Sequence, residues 1–176
     1  MLAPEVPMSH SVAGEPSSAG RRAAPLTTAV YSAVEWDLLT GLPGRVIVAA
    51  AAPGTGRPRR TVAAGLAGLD AVAAGRAFDS DLVRAVVVAI YARHDGAGEP
   101  VDRLTDVVDL LAACRAATRV LRRRADPADS AAYRQWVQSV AARVCGAAAT
   151  TGAPPLPPAP ADRRFLDRLG VALGLR

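Results

Sequence analysis

The segment that most constrains the fold is residues 130–146, SAAYRQWVQSVAARVCG. At 100° per residue, its large apolar side chains fall on one stripe: Tyr133, Trp136, Val137, Val140 and Val144. Asp126 suits a helix cap, Pro127 suits a first helical position, and Gly146 suits a helix end. Because an aromatic side chain buries a large area, the pattern predicts a core helix with Trp136 as its packing centre.

The composition favours helices throughout the chain. Hydrophobic residues make up 51% of the 176 residues, but aromatic residues reach only 4%, and alanine, the best helix former, dominates the rest. A core of small side chains requires helices that approach closely. We therefore predict an all-α fold: a single compact domain of about six helices over residues 26–176, after a disordered tail at 1–25 that is rich in Pro, Ser, Gly and Ala.

The first part of the domain contains several helix breakers. A first helix is predicted from residue 27 or 28 to 39, ended by Gly41, with a turn at Leu42-Pro43-Gly44. Residues 45–52 are too short for periodicity to decide between strand and helix, and helix is preferred because no partner strand follows. A second helix, residues 61–75, is predicted to turn one set of residues inward: Val62, Leu66, Leu69, Val72 and Ala73.

Three more helices complete the prediction. Ser80 caps residues 81–93, whose inner side chains are Leu82, Val83, Val86, Val87 and Ile90; Val88 and Tyr91 widen the apolar girdle, which is typical of a central helix. Residues 101–121 are predicted to bury Leu104, Val107, Val108, Leu111, Cys114 and Thr118. Residues 162–173 are predicted to bury Phe165, Leu166, Leu169 and Leu173.

The cysteines and the apolar runs indicate the compartment. Cys114 lies on a buried side and Cys145 is expected to be partly exposed, and the two have no CxxC spacing. Reduced thiols are the rule in a cytoplasmic protein. Since no apolar run approaches the roughly 20 residues of a membrane span, the chain is predicted to be cytoplasmic, without a membrane partner.

Catalytic motifs are not apparent. The chain has only two histidines, His10 and His94, and no nucleophile, histidine and acid in a recognisable order. The loop AAPGTGRPRRT resembles a phosphate-binding loop in its glycines, but it lacks GK[ST], and Pro58 interrupts the run of amides. We predict that the protein is not an enzyme and uses no cofactor.

Two charged patterns leave ligand binding open. Asp102, Asp106 and Asp109 are spaced i, i+4, i+7, so on one helix they share a face that offers oxygen ligands to Ca²⁺ or Mg²⁺; the simpler interpretation is a solvated face.

All 21 basic residues are arginine, with a net charge of +5. Two arginine clusters are candidate anion contacts: Arg57, Arg59 and Arg60, and Arg122, Arg123 and Arg124. Because 16 acidic residues are interspersed and no recognition helix is visible, nucleic-acid binding is disfavoured.

The last two predicted helices carry a family resemblance. AYRQWVQSVAARVCGAA, a loop, and PADRRFLDRLGVALGL resemble the C-terminal part of the tellurite-resistance TerB-like helical proteins and their bacterial relatives. The resemblance covers about the last 50 residues. It implies a helical fold with acidic metal-contacting residues, and Asp162, which leads the final helix, occupies a comparable place. A divalent-cation site would then join Asp162 to Asp102, Asp106 and Asp109.

These patterns together favour a non-enzymatic helical protein. We predict a protein-interaction or stress-response accessory module that acts through a protein partner, or through self-association across alanine-rich faces. A divalent-cation-binding domain is the first alternative, and a weak anion or nucleic-acid binder is the second. No pattern indicates a particular small-molecule ligand.

Overall fold

The computed structural model of the chain describes residues 30–52, 62–95, 106–147 and 159–175. Within these ranges there are six α-helices and no strand. They are α1 (Ala33–Ala51), α2 (Val62–Ala74), α3 (Asp81–Asp95), α4 (Val107–Arg124), α5 (Pro127–Gly146) and α6 (Pro160–Ala172), and a 3₁₀ turn, Gly75–Ala77, follows α2. The all-α prediction is confirmed, whereas the tail predicted at residues 1–25 lies outside the described residues.

Helix α5 is the centre of the fold, as its pattern predicts. It contacts each of the other five helices in the described part of the chain. Asp126 caps it by accepting a hydrogen bond from the Ala128 N–H at 2.8 Å. Tyr133 and Trp136 are fully buried, and their rings meet edge to face with centroids 5.8 Å apart. The largest side chains of the core therefore come from α5.

The polar side of α5 is also used in packing. Gln138 Nε2 donates to the Leu166 carbonyl at 3.0 Å, and Arg134 Nη1 donates to the Gly174 carbonyl at 2.9 Å. Gly174 ends α6 with a φ of 66°, a conformation that a residue with a Cβ rarely adopts. Helix α6 is thus attached through polar groups as well as through the buried side chains Phe165, Leu169 and Leu173.

Helix α1 corrects two sequence predictions. It begins at Ala33, where Ser32 forms a capping box with Glu35, rather than at residue 27 or 28. It also continues through Gly41 and Pro43 to Ala51, so neither the predicted end nor the predicted turn exists. The preferred helical interpretation of residues 45–52 is correct for 45–51, which belong to α1 and form no separate segment; Ala52 is the C-cap of α1.

A long-range hydrogen bond explains why α1 passes through Pro43. Proline has no N–H, so the carbonyl four residues earlier, that of Leu39, loses its helical partner. The Tyr133 hydroxyl of α5 donates to that carbonyl at 2.7 Å. A buried carbonyl that would otherwise be unsatisfied is therefore paired, and the cost of proline inside the helix is reduced.

Helices α3 and α4 differ from prediction mainly at their surfaces. Ser80 caps α3 as predicted, accepting a hydrogen bond from the Val83 N–H at 3.2 Å, but Val88 and Tyr91 are exposed, so α3 is not the central helix.

Helix α4 begins at Val107, because Asp106 has non-helical dihedral angles and acts as its N-cap. Val108 is exposed and Leu110 is buried, whereas Leu111, Cys114 and Thr118 are buried as predicted.

Candidate functional site

The inner face of α2 is built from small residues. Ala64, Gly68 and Ala71 are buried at spacing i, i+4, i+7, together with Val72. A Cβ added at Gly68 would lie 2.7 Å from Val144 Cγ2 and 2.8 Å from Ile47 Cγ1. These distances are shorter than real carbon contacts, so α2 approaches α1 and α5 as closely as a backbone without side chains permits.

The 3₁₀ turn after α2 continues this close approach. A Cβ added at Gly75 would lie 2.8 Å from Trp136 Nε1 and 2.8 Å from Val87 Cγ2. Trp136 Nε1 also donates to the Ala71 carbonyl at 3.2 Å. The indole of α5 therefore occupies the space next to α2 and requires glycine at position 75.

The consequence is an apolar outer face. Val62 is 81% exposed, and Leu66 and Leu69 are each 55% exposed. The prediction that these three residues point inward is wrong, because α2 faces α1 and α5 with its small residues, and a Cβ has no room at Gly68. Val72 is buried as predicted, and Ala73 is half-buried.

We define the outer face of α2 as Val62, Ala63, Leu66, Leu69 and Asp70. Its three large residues are spaced i, i+4, i+7, so they form a continuous stripe along the helix. Asp70 is the one charged residue in the whole of α2. A surface helix normally turns charged residues to the solvent, so this face has the chemistry of a buried surface without being buried.

A second feature lies beyond the end of α2. The Arg76 guanidinium stacks on the Tyr91 ring of α3, with 4.2 Å between its Cζ and the ring centroid. Val88 of α3 is also exposed. Tyrosine and arginine are enriched in protein interfaces, so this stacked pair also has a composition that is typical of an interface.

The predicted cation ligands are only partly described. Asp102 lies outside the described residues, Asp106 is the N-cap of α4, and Asp109 is exposed in the first turn of α4. Because Asp106 is not helical, the predicted shared helix face is not formed. Asp162 is buried in the first turn of α6. In the described ranges, no group of three or more His, Cys, Asp or Glu could hold a metal ion.

The predicted anion contacts meet an acidic side chain of the chain itself. Arg57, Arg59 and Arg60 lie outside the described residues. Arg123 Nη2 lies 3.4 Å from Glu35 Oε1, and Arg124 Nε lies 3.6 Å from Glu35 Oε2. The Ser32 N–H and the two guanidinium groups hold the pKa of Glu35 below its ordinary value. This part of the arginine run connects the end of α4 to the start of α1, and Arg122 is exposed beside it.

A buried polar cluster at the starts of α1, α3 and α5 has no counterpart in the sequence analysis. The Ser80 hydroxyl donates to Asp129 Oδ1 at 2.6 Å, across 49 residues of sequence. The buried Tyr31 hydroxyl makes no hydrogen bond within the described part of the chain. Burial, with the charges of Asp129 and Glu35, raises the pKa of Tyr31 to about 12. A phenol that stays protonated can donate a hydrogen bond but cannot act as a base near neutral pH.

Both cysteines are buried. Cys114 is buried as predicted, but the expectation that Cys145 is partly exposed is wrong, because only 3% of it is exposed. Burial raises the pKa of Cys114 to about 12. Since the thiolate is the reactive form, Cys114 is an inert core residue at neutral pH.

Comparisons with known proteins add no assignment to this geometry. No protein-family model matches the chain, and searches of curated proteins and of solved structures give no significant match. The TerB-like resemblance stays a prediction. Among the described helices, none has the length and apolar character needed to cross a membrane.

Proposed function

We propose that the protein is a non-enzymatic helical interaction module, and that the outer face of α2 docks onto an α-helix of a partner protein. The observation that carries the proposal is the exposed stripe of Val62, Leu66 and Leu69 on a helix with one charged residue. Single exposed apolar residues are common on protein surfaces, whereas a contiguous apolar patch marks an interaction site.

The shape of the stripe favours a helix as its occupant. From Val62 to Leu69 the stripe runs roughly 10 Å along α2, at about 1.5 Å per residue. It is one helix wide, since Ala63 and Asp70 border it on the exposed surface and the opposite side of α2 is buried. A second helix laid along α2 would touch all three side chains at once, as in other complexes of an amphipathic helix with an apolar surface.

The expected affinity is modest. Complete burial of an aliphatic side chain contributes about 1.5–3 kcal/mol, so three of them supply at most about 9 kcal/mol. The loss of translational and rotational freedom costs an amount of the same order. We therefore expect a reversible contact whose strength depends on the residues around the stripe.

Site-specific photo-crosslinking tests the proposal. A photoreactive amino acid at position 66 should yield covalent protein adducts, because Leu66 lies at the middle of the stripe. The matched control is position 171 on α6, where Val171 is similarly exposed, at 61%, but stands apart from α2. Adducts at position 66 that are absent at position 171 support the proposal, and equal yields at both positions would refute it.

A further inference from the structure

We infer that the helix that covers the outer face is α2 of a second copy of this chain, paired antiparallel about a two-fold axis near Leu66. The inference rests on the proposed function and specifies its partner. A two-fold contact requires a surface that is complementary to itself. The outer face of α2 meets this requirement in its apolar residues and in its charge.

The apolar residues match when the helices run antiparallel. With the axis at Leu66, the two Leu66 side chains meet at the centre. Leu69, three residues toward the C-terminal end, lies within about 1.5 Å of the level of Val62 of the second copy, on the same side of the contact. Each half of the contact therefore pairs one leucine with one valine, and the contact made by one copy is repeated by the other.

The charge is complementary in the same arrangement. The first turn of α2 has no acidic residue, so within α2 itself no carboxylate lies at the positive end of the helix dipole. Asp70 lies toward the C-terminal end of its own helix, where the dipole disfavours a negative charge. Antiparallel pairing brings Asp70 beside Ala63 in the first turn of the second copy, where the same dipole favours it.

Repulsion between the two acids is small in this pairing. The two Asp70 residues lie on opposite sides of the axis, about 12 Å apart along the helices at about 1.5 Å per residue. This exceeds the Debye length of about 8 Å at physiological ionic strength. A parallel pairing would instead place Asp70 beside Asp70, so the charge selects the antiparallel orientation.

Sedimentation equilibrium over a range of protein concentrations tests the inference. We expect a reversible monomer–dimer equilibrium for the wild type. Leu66→Glu should abolish the dimer, because it places two carboxylates at the axis. Asp70→Arg should weaken it roughly tenfold, since both favourable charge–dipole contacts become unfavourable. Val171→Glu is the control and should dimerise like the wild type.

The remaining outcomes each decide against the inference. A wild type that is monomeric at every concentration overturns it, as does a Leu66→Glu dimer as strong as that of the wild type, or an equal loss in Val171→Glu. Circular dichroism of each variant separates loss of pairing from loss of folding. Because Leu66 is exposed, Leu66→Glu should keep the helical spectrum of the wild type.

Mass analysis of the position-66 photo-adduct separates this inference from the proposed function. An adduct of twice the chain mass supports both. An adduct with a different protein alone, or a crosslink within one chain, overturns the inference, and in the first case the proposed function stands. If position 66 yields no more adduct than position 171, both the inference and the proposed function are refuted. A probe at position 69 should capture the segment around Val62 of the second copy, and capture of position 69 itself would refute the antiparallel orientation.

Discussion

Helices α5 and α2 touch each other, yet they bury opposite kinds of residue. Helix α5 turns Tyr133 and Trp136 into the core, whereas α2 turns glycine and alanine inward and leaves Leu66 and Leu69 exposed. The difference arises at their contact. A Cβ at Gly68 would meet Val144 and Ile47, and a Cβ at Gly75, just after α2, would meet the Trp136 indole, so glycine is required at both positions.

The comparison shows that the size of a residue does not by itself decide whether it is buried. Because glycine lets the backbone of α2 approach closely, the Ala71 carbonyl can accept a hydrogen bond from Trp136 Nε1. The same close approach brings Gly68 against Val144. Close contact over many atoms and one satisfied indole replace the burial of two leucines. The large residues that are left outside are then available for a partner.

The largest expected effect is on the α5 side of the contact. Trp136→Ala should lower the free energy of unfolding by roughly 3–5 kcal/mol, because it empties a large aromatic site and removes the hydrogen bond to Ala71. Chemical denaturation measures it. Trp36→Ala, at a half-buried tryptophan of α1, is the control and should cost less. Equal losses at the two positions would mean that α5 is not the packing centre.

The dependence of stability on alkaline pH tests whether the core next to α5 excludes water. The ordinary pKa of cysteine is 9.0, and that of buried Cys114 is about 12. Between these values the thiol loses its proton only in the unfolded chain. The free energy of unfolding is therefore undiminished below pH 9 and falls by about 1.4 kcal/mol per pH unit as the pH rises toward 12. Tyr31, with its pKa raised from 10.0 to about 12, adds a decline of the same sign above pH 10.

Denaturant unfolding measured from pH 8 to pH 11 follows this decline. Cys114→Ala removes one ionising group, so its stability should fall less steeply than that of the wild type above pH 9. Parallel curves for the two proteins would show that the thiol is not held protonated by the fold.

Two glycines of the α2 region should respond to alanine with opposite signs. Gly75→Ala should destabilise by about 1–3 kcal/mol, because its Cβ would meet the Trp136 ring and Val87. Gly65→Ala should stabilise by about 0.5–1 kcal/mol, since nothing lies within 4 Å of its Cβ and alanine is the better helix former. Thermal melts of both variants test the pair, and a gain in stability for Gly75→Ala would contradict the close approach of α2.

The sequence was sufficient where local signals were complete. Helix α5 has its cap, its first-turn proline, its stripe and its glycine within 21 residues, Asp126 to Gly146. All five residues of the predicted stripe are buried, whereas the buried position of Cys145 was not predicted. Helix α1 was predicted to break at Gly41 and Pro43, because the compensating Tyr133 hydroxyl lies 94 residues away. No local pattern predicts the hydrogen bond between Ser80 and Asp129 either, because the two residues are 49 positions apart in sequence.

The face of α2 could not be chosen from periodicity. Val62, Leu66 and Leu69 are spaced i, i+4, i+7, and so are Ala64, Gly68 and Ala71 on the opposite side. Hydrophobicity favours burial of the first set, while close packing against Ile47, Val144 and Trp136 requires the second. The choice depends on the space that α1 and α5 leave, and this is a property of three helices together.

The smallest expected effect is on the outer face itself. Leu69→Ala should change the free energy of unfolding of the monomer by less than about 0.5 kcal/mol, the usual range for a surface substitution. A dilute denaturant titration measures it. If the variant loses as much stability as a buried leucine, about 2–5 kcal/mol, then Leu69 is packed inside the domain.

Thiol labelling tests most directly whether α2 packs by its small face. In dilute protein, a thiol-specific reagent should modify Leu66→Cys at the rate of an exposed thiol. It should modify Ala71→Cys slowly, because access there requires local unfolding. Wild type gives a low background, since Cys114 and Cys145 are buried. Fast labelling at position 66 with protection at position 71 is the expected result, and protection at position 66 with fast labelling at position 71 would contradict it.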